Sequence, residues 1–174
     1  MFSIIEERAS DHETVVKLAR LSLGNRFTDS PAARMRAGTT PVPGLSMIVL
    51  ENDKLVATIR YWPILIGAGT KAIQLGPVAI EPDHRGRGFS RILIRYSLER
   101  AQALGHRIAV LIGNPALYGR YGFEPALPRD IVLPETEDRD RLQVMALAPG
   151  ALDGLSGAIR PDTIPSLTSN RLTA

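Results

Sequence analysis

The sequence predicts a single α/β domain with a βαβ unit near its centre. The chain has 174 residues, of which 44% are apolar and 22% are charged, and this balance is ordinary for one compact domain. Between residues 71 and 112 a strand, a helix and a buried strand follow one another, which predicts parallel neighbours with a right-handed connection. No repeat or second boundary is visible, so we expect one domain over residues 1–150 and a tail over residues 151–174 that is loosely held or packed on it.

The amino-terminal segment predicts a strand and then a helix. Residues 2–7 have the composition of a short strand. Ser10 and Glu13 follow at the spacing of a capping box, in which each side chain accepts a hydrogen bond from a backbone N–H at the helix start. Helical periodicity continues to Leu23, and Gly24 predicts the end of the helix.

The next segment predicts a loop and a hairpin. Residues 25–45 mix Ser, Thr and Gly with three prolines, which favours a loop with one short helix around residues 32–37. Strand-like residues 46–50 and 55–66 are separated by a tight connection, as in a hairpin.

The βαβ unit comes next. Residues 71–81 predict a strand with Gly76-Pro77 in its middle, and because proline cannot donate to a ladder we expect a bulge or a loss of pairing there. Residues 89–104 predict an amphipathic helix closed by Gly105, and the apolar residues 108–112 predict a strand covered on both faces. Further short strands are predicted at residues 122–125, 130–133 and 141–147.

Composition excludes several classes of protein. The longest uncharged stretch, residues 37–50, is fourteen residues long and contains two prolines, whereas a membrane span needs about 20 apolar residues. Charged residues at positions 6–8 argue against a secretory signal, so we expect a cytoplasmic protein without a membrane partner. The chain has no cysteine, and its three histidines are far apart in sequence, so we expect neither thiol chemistry nor a metal.

Charge is unevenly distributed although the formal net charge is only +3. Residues 85–107 contain six arginines and a single acid, Glu99, whereas residues 129–141 contain five acids and three arginines. The first segment therefore attracts anions, and the second repels them.

The connection between the bulged strand and the following helix predicts a phosphate site. Gly86 and Gly88 allow close approach of the backbone or a positive φ, and the amides of Arg87, Gly88 and Ser90 fall at a helix start, where N–H groups lack partners. Neither a Walker loop nor the dinucleotide fingerprint fits, since the lysine of the first and the third glycine of the second are missing. The alternative is a simple glycine turn whose arginines face water.

A family resemblance rests on the same residues. The pattern Arg85-x-x-Gly88-x-Ser90 resembles the pyrophosphate-binding signature of the GCN5-related N-acetyltransferases (GNAT), although Ser90 replaces the usual Gly or Ala. Residues 75–80 and 114–123 are similar to a YhbS-like subgroup of predicted acetyltransferases, so the specific match covers residues 75–125.

The resemblance implies a mixed, mostly antiparallel central sheet with helices on both faces and an acyl-CoA site in the βαβ unit. Acetyl-CoA, as a co-substrate, would lie where the two parallel strands diverge, with its pantetheine arm paired to the main chain and its pyrophosphate on the loop amides. The residues expected to bind it are Val78, Ile80, Arg85, Gly86, Arg87, Gly88, Phe89, Ser90, Arg91 and Asn114.

Two catalytic roles are also implied by the resemblance. Tyr118 stands at the position of the general acid that protonates the departing CoA thiolate, which its ordinary pKa of about 10 permits; the alternative is a packed core aromatic. Glu81 is the candidate for the base, with a solvated loop carboxylate as the alternative. His84 is expected to lie on the side of the phosphate loop, where it is badly placed to act as the base. Asn114 either contacts pantetheine or caps a short helix, and Tyr121 is expected to pack.

The function implied is direct acetyl transfer from acetyl-CoA to a primary amine in a ternary complex. A non-catalytic CoA-binding or sensing module is the alternative, and nucleic-acid binding by the arginine-rich helix is disfavoured because aromatics are only 5% of the residues. The acceptor is expected to be a small-molecule or peptide amine, and the acidic residues 130–140 would favour a cationic one if they border the cleft. A homodimer is plausible by family analogy.

Overall fold

The backbone is organised around one mixed sheet. The structure is a computed structural model that describes residues 1–135 and 137–163. Its strands are β1 (Phe2–Glu6), β2 (Met47–Glu51), β3 (Lys54–Ile66), β4 (Thr70–Ile80), β5 (Ile108–Ile112), β6 (Glu124–Pro125), β7 (Ile131–Val132), β8 (Leu142–Ala146) and β9 (Gly157–Pro161). Its helices are α1 (His12–Leu23), α2 (Pro31–Arg36), α3 (Phe89–Ala103) and α4 (Pro115–Tyr118), and short 3₁₀ turns lie in several connections.

Pairing in the sheet is mostly antiparallel, as expected. The main order is β1-β2-β3-β4-β5-β8-β6, while β9 pairs with β3 and, in parallel, with β7. In this main order, β4 and β5 are the parallel neighbours, joined by α3, which confirms the predicted βαβ unit. Their pairing covers only Ile73 with Ala109 and Gln74 with Val110, so the two strands separate after Gln74.

A bulge interrupts β4 where the sequence predicts one. Tyr61 of β3 pairs with Leu75, but Ile59 pairs with Val78, so Gly76 and Pro77 together lie opposite one residue of β3. Proline has no amide hydrogen for the ladder, and an extra residue on one strand accommodates it. The bulge therefore falls where β4 leaves β5.

Helices cover both faces of the sheet because side chains of a strand alternate between the faces. Met47 and Val49 of β2 belong to the core cluster that contains Leu93 of α3, whereas Ile48 between them packs in the cluster of Leu18 of α1. A third cluster joins α2 to β3, β5 and β8. The sheet is thus buried on both sides near the βαβ unit.

Helix ends follow local sequence, with one correction. The capping box predicted for Ser10 and Glu13 is wrong: a 3₁₀ turn precedes α1, and the Asp11 carboxylate instead accepts hydrogen bonds from the main chain and side chain of Arg8. At the end of α3 the prediction for Gly105 is confirmed. Gly105 has a φ of +86°, and its N–H donates to the carbonyl of Gln102 at 3.0 Å.

Part of the segment predicted as a tail belongs to the sheet. Residues 157–161 form β9, in which Arg160 pairs with Leu65 of β3. Residues 164–174 lie outside the described residues. Within the described chain, no helix combines the length and the apolar character needed to cross a bilayer.

Candidate active site

The loop between β4 and α3 has a backbone that glycine makes possible. A 3₁₀ turn at Pro82–His84 follows β4, and Gly86 and Gly88 then have φ values of +75° and +87°. Non-glycine residues avoid this region because the Cβ atom approaches the following carbonyl oxygen. Helix α3 begins immediately afterwards at Phe89.

The turn leaves a run of amides free at the start of α3. Among the described residues, the N–H groups of residues 86–91 donate to no protein acceptor, and the first helical bond is donated by Ile92 to the carbonyl of Gly88 at 3.1 Å. Six consecutive free donors at the positive end of a helix dipole form an anion site.

These amides border a cavity of about 640 Å³ between the loop, the end of β4, the end of α1 and the α4 region. The structure brings together here all but one of the residues predicted to bind the cofactor: Val78, Ile80, Arg85, Gly86, Arg87, Gly88, Phe89, Ser90 and Arg91. Asn114 does not line this cavity; its Oδ1 accepts a hydrogen bond from the N–H of Ala116 at 3.0 Å and caps α4.

The arginines of this cavity are not equivalent. The guanidinium of Arg87 donates to both carboxylate oxygens of Glu51, and this contact lowers the pKa of Glu51. Arg85 and Arg91 form no ion pair in the described part of the chain, nor does Arg120, a lining residue that sequence reasoning missed. Positive charge available to an anion therefore comes from these three residues rather than from Arg87.

The edge of β4 that faces this cavity has free main-chain groups. The N–H of Glu81 donates to Val56 of β3 at 2.8 Å, so the groups of alternate residues, Val78 and Ile80, point away from β3. On that side β5 offers no pairing beyond Gln74. The Ser22 hydroxyl of α1 donates a hydrogen bond to the carbonyl oxygen of Ile80 at 3.4 Å, so this one carbonyl already has a partner.

Tyr118 lies in a second cavity of about 260 Å³, which shares Leu23, Val78 and Leu117 with the first. Burial raises the pKa of the Tyr118 phenol, so it stays protonated at neutral pH. Its ring packs directly over Gly113, where a Cβ atom would be 2.6 Å from Cε2 of the tyrosine. Sequence reasoning missed this role of Gly113.

The second cavity has a positively charged wall. Arg26, Arg36 and Arg141 line it together with the β4 bulge, and no carboxylate or imidazole is among its lining residues. Within the acidic segment, Glu135 contacts Arg34, whereas Asp138 contacts Arg26 and Arg141 of this wall but is not itself a lining residue. The expectation that this segment would favour a cationic amine is therefore not supported by the charges of the cavity.

The remaining candidates are placed as follows. Glu81 stands at the end of β4 outside the lining of both cavities, so its predicted role as base has no contact to support it. His84 lies on the phosphate-loop side, as expected, 3.1 Å from Oε2 of Glu51. Tyr121 lines the first cavity, 6.3 Å from the ring of Tyr118. Residues 1–135 and 137–163 contain no cluster of three or more His, Asp or Glu side chains that could hold a metal.

Comparison with known proteins identifies the family of this chain. Residues 3–126 match a family described as an acetyltransferase (GNAT) domain. The protein named N-acetyltransferase YhbS from Escherichia coli K12 is 27% identical over 117 residues, which are 66% of this chain and 70% of YhbS.

Two solved structures share the fold. The crystal structure of E. coli YhbS in complex with CoA superposes with a TM-score of 0.78 at 24% identity and covers 92% of this chain and 89% of that one. A GNAT family acetyltransferase from Brucella melitensis in complex with acetyl-CoA gives a TM-score of 0.69 at 24% identity, with 92% and 95% covered. Since the family match spans well over half of the sequence, the chain belongs to the GNAT acetyltransferase family.

Proposed function

We propose that the protein is an acetyl-CoA-dependent N-acetyltransferase that moves the acetyl group directly to a primary amine in a ternary complex. The observation that carries the proposal is a pair of adjacent cavities that share Leu23, Val78 and Leu117 as lining residues. One is bordered by the free amides of residues 86–91, and the other by the partly buried phenol of Tyr118. A molecule that carries a diphosphate at one end and a reactive thioester at the other fits such a pair.

In this proposal the cofactor lies along the first cavity. The free amides bind the pyrophosphate, with Arg85, Arg91 and Arg120 supplying countercharge. The carbonyl of Val78 and one of the N–H groups of Val78 and Ile80 pair with the amides of the pantetheine arm, as a strand partner would, which leaves the other N–H free. The similar proteins from E. coli and B. melitensis were crystallised with CoA and acetyl-CoA, which supports this choice of co-substrate.

The reaction then needs no covalent intermediate on the protein. The lone pair of the amine attacks the thioester carbon, and the amide N–H of Val78 or Ile80 stabilises the oxyanion that forms. Collapse of the tetrahedral intermediate breaks the C–S bond, and Tyr118 donates its proton to the CoA thiolate before regaining one from the ammonium through water. Because the second cavity has no lining carboxylate, we propose that water accepts the amine proton.

Calorimetry and a CoA-release assay test the proposal together. Acetyl-CoA should bind to the purified protein, and amines should stimulate release of free CoA. A protein that binds CoA but releases none with any amine would be the binding module considered above. Absence of binding at millimolar CoA would refute the proposal altogether. A cytoplasmic location and a homodimer stay predictions.

Tyr118→Phe tests the general acid. This variant should lower kcat at least about tenfold, since a positioned acid contributes about 10²–10⁴-fold and a thiolate is a moderately good leaving group. Its affinity for acetyl-CoA should not change. Tyr121→Phe is the matched control, because it removes a neighbouring phenol from the other cavity. Equal kcat for Tyr118→Phe and the unaltered protein would exclude Tyr118 as the acid.

A further inference from the structure

The second cavity indicates which class of amine the protein acetylates. This inference rests on the proposed function, because the cavity is the acceptor site only if the thioester reaches Val78 and Tyr118. At about 260 Å³ the cavity is smaller than the about 300–1,000 Å³ of pockets for drug-sized ligands. The space suits a small molecule rather than a folded protein segment.

Charge on the walls is positive and incompletely neutralised. Arg26 and Arg141 share one carboxylate, Asp138, at 3.1 and 3.3 Å. Arg36 forms no ion pair in residues 1–135 and 137–163, and its guanidinium donates only to the carbonyl of Phe27. The three arginines therefore leave an excess of two positive charges around the cavity, which repels cationic acceptors and attracts anionic ones.

The Arg36 side chain is held in place before any ligand arrives. Its guanidinium carbon lies 5.4 Å from the ring centre of Phe27 and 5.8 Å from that of Trp62. Burial and the nearby charge of Arg60 lower the pKa of Arg36, so its positive charge is poorly compensated. A partly buried guanidinium without a carboxylate partner gains from an oxyanion that can accept its remaining hydrogen bonds.

We propose that the acceptor is a small amine that also carries an oxyanion group, as an amino acid does, with the oxyanion bound by Arg36. Carboxylate and phosphate present the same chemistry to a guanidinium, and the test distinguishes them. Polyamines and aminoglycosides are disfavoured acceptors because they are polycations.

The test compares matched acceptors on the unaltered protein. CoA release is measured with free amino acids, with the corresponding amino-acid amides, with phosphoethanolamine and with spermidine. We expect kcat/KM for the preferred amino acid to exceed that for its amide at least about tenfold, as expected for loss of a charge-assisted pair. A higher value for phosphoethanolamine would assign the site to phosphate-bearing amines. Equal values for acid and amide, or preference for spermidine, would overturn the proposal.

Arg36→Met tests whether Arg36 causes the preference for the acid over its amide. This variant should abolish the preference for the acid mainly through KM, with no change in affinity for acetyl-CoA. Arg34→Met is the matched control on the same helix, since Arg34 pairs with Glu135 and does not line the cavity. Loss of the preference in both variants, or in neither, would contradict the assignment to Arg36.

A binding measurement keeps the two proposals separate. If no amine is acetylated although CoA binds, the proposed function fails. Calorimetric titration of the CoA complex with an amino acid and with its amide then decides the acceptor proposal independently. Binding of the acid alone would support the anionic class, and equal or absent binding of both would refute it.

Discussion

Replacing Gly88 with alanine separates the role of this residue in folding from its role in binding an anion. Gly88 and Gly105 stand at the two ends of α3 with φ values of +87° and +86°, and a Cβ added at either meets no atom within 4 Å. Each alanine variant therefore carries backbone strain of about 1–2 kcal/mol without a clash. For a chain of this length that cost lowers the melting temperature by roughly 2–8 °C.

Affinity for CoA should differ between the two variants. The added methyl group at position 88 occupies space in the first cavity beside the free amides, whereas Gly105 lies at the opposite end of the helix. Loss of one charge-assisted hydrogen bond of about 1.5–3 kcal/mol corresponds to a Kd for CoA that is about tenfold to a hundredfold higher in Gly88→Ala. Gly105→Ala should bind as the unaltered protein does. Equal affinity in both variants, measured by calorimetry, would refute the assignment of the pyrophosphate to this loop.

Two further predictions concern tyrosines. Gly113→Ala should lower kcat in the CoA-release assay without changing CoA affinity, because its Cβ would lie 2.6 Å from Cε2 of Tyr118 and displace the ring. Gly119→Ala is the control in the same assay, since a Cβ at that position meets no atom within 4 Å. The hydroxyl of Tyr61 lies 2.8 Å from that of Ser97, and burial raises the pKa of Tyr61. The unfolded chain has the ordinary tyrosine pKa of about 10, so the stability that the protonated Tyr61 contributes is complete below pH about 10 and is lost as pH rises above that value. Urea unfolding at alkaline pH should show that the free energy of unfolding falls in the unaltered protein and falls less in Tyr61→Phe. Equal losses in the two proteins would contradict this role of Tyr61.

Local signals explain what could be predicted from the sequence. The bulge at Gly76-Pro77 follows from the missing amide hydrogen of proline, and the end of α3 follows from the positive φ that Gly105 permits. The free amides of residues 86–91 follow from two glycines placed just before a helix. Each of these features depends on residues that are close together in the sequence, so each can be predicted without knowledge of the tertiary structure.

Features that depend on distant partners could not be predicted in this way. Arg87 contacts Glu51, which is 36 residues earlier in the chain, and nothing near Arg87 indicates that contact. Arg36 and Arg141 line the same cavity although they are far apart in the sequence. Strand β9 was also missed, since the five residues Gly157–Pro161 have weak strand character alone and depend on pairing with β3 and β7.

The bulge in β4 borders the second cavity and immediately precedes the strand residues that line the first. The main-chain N–H and C=O groups of successive strand residues point alternately to the two edges of the strand. One extra residue therefore switches the edge to which the groups of each later residue point. Because Gly76 and Pro77 add that residue, Val78 and Ile80 direct their main-chain groups toward the side that β5 has left. Gly76, Pro77 and Val78 also form part of the wall of the second cavity. In the proposed reaction, this single local irregularity therefore supplies the free strand edge for the cofactor and part of the wall of the acceptor cavity.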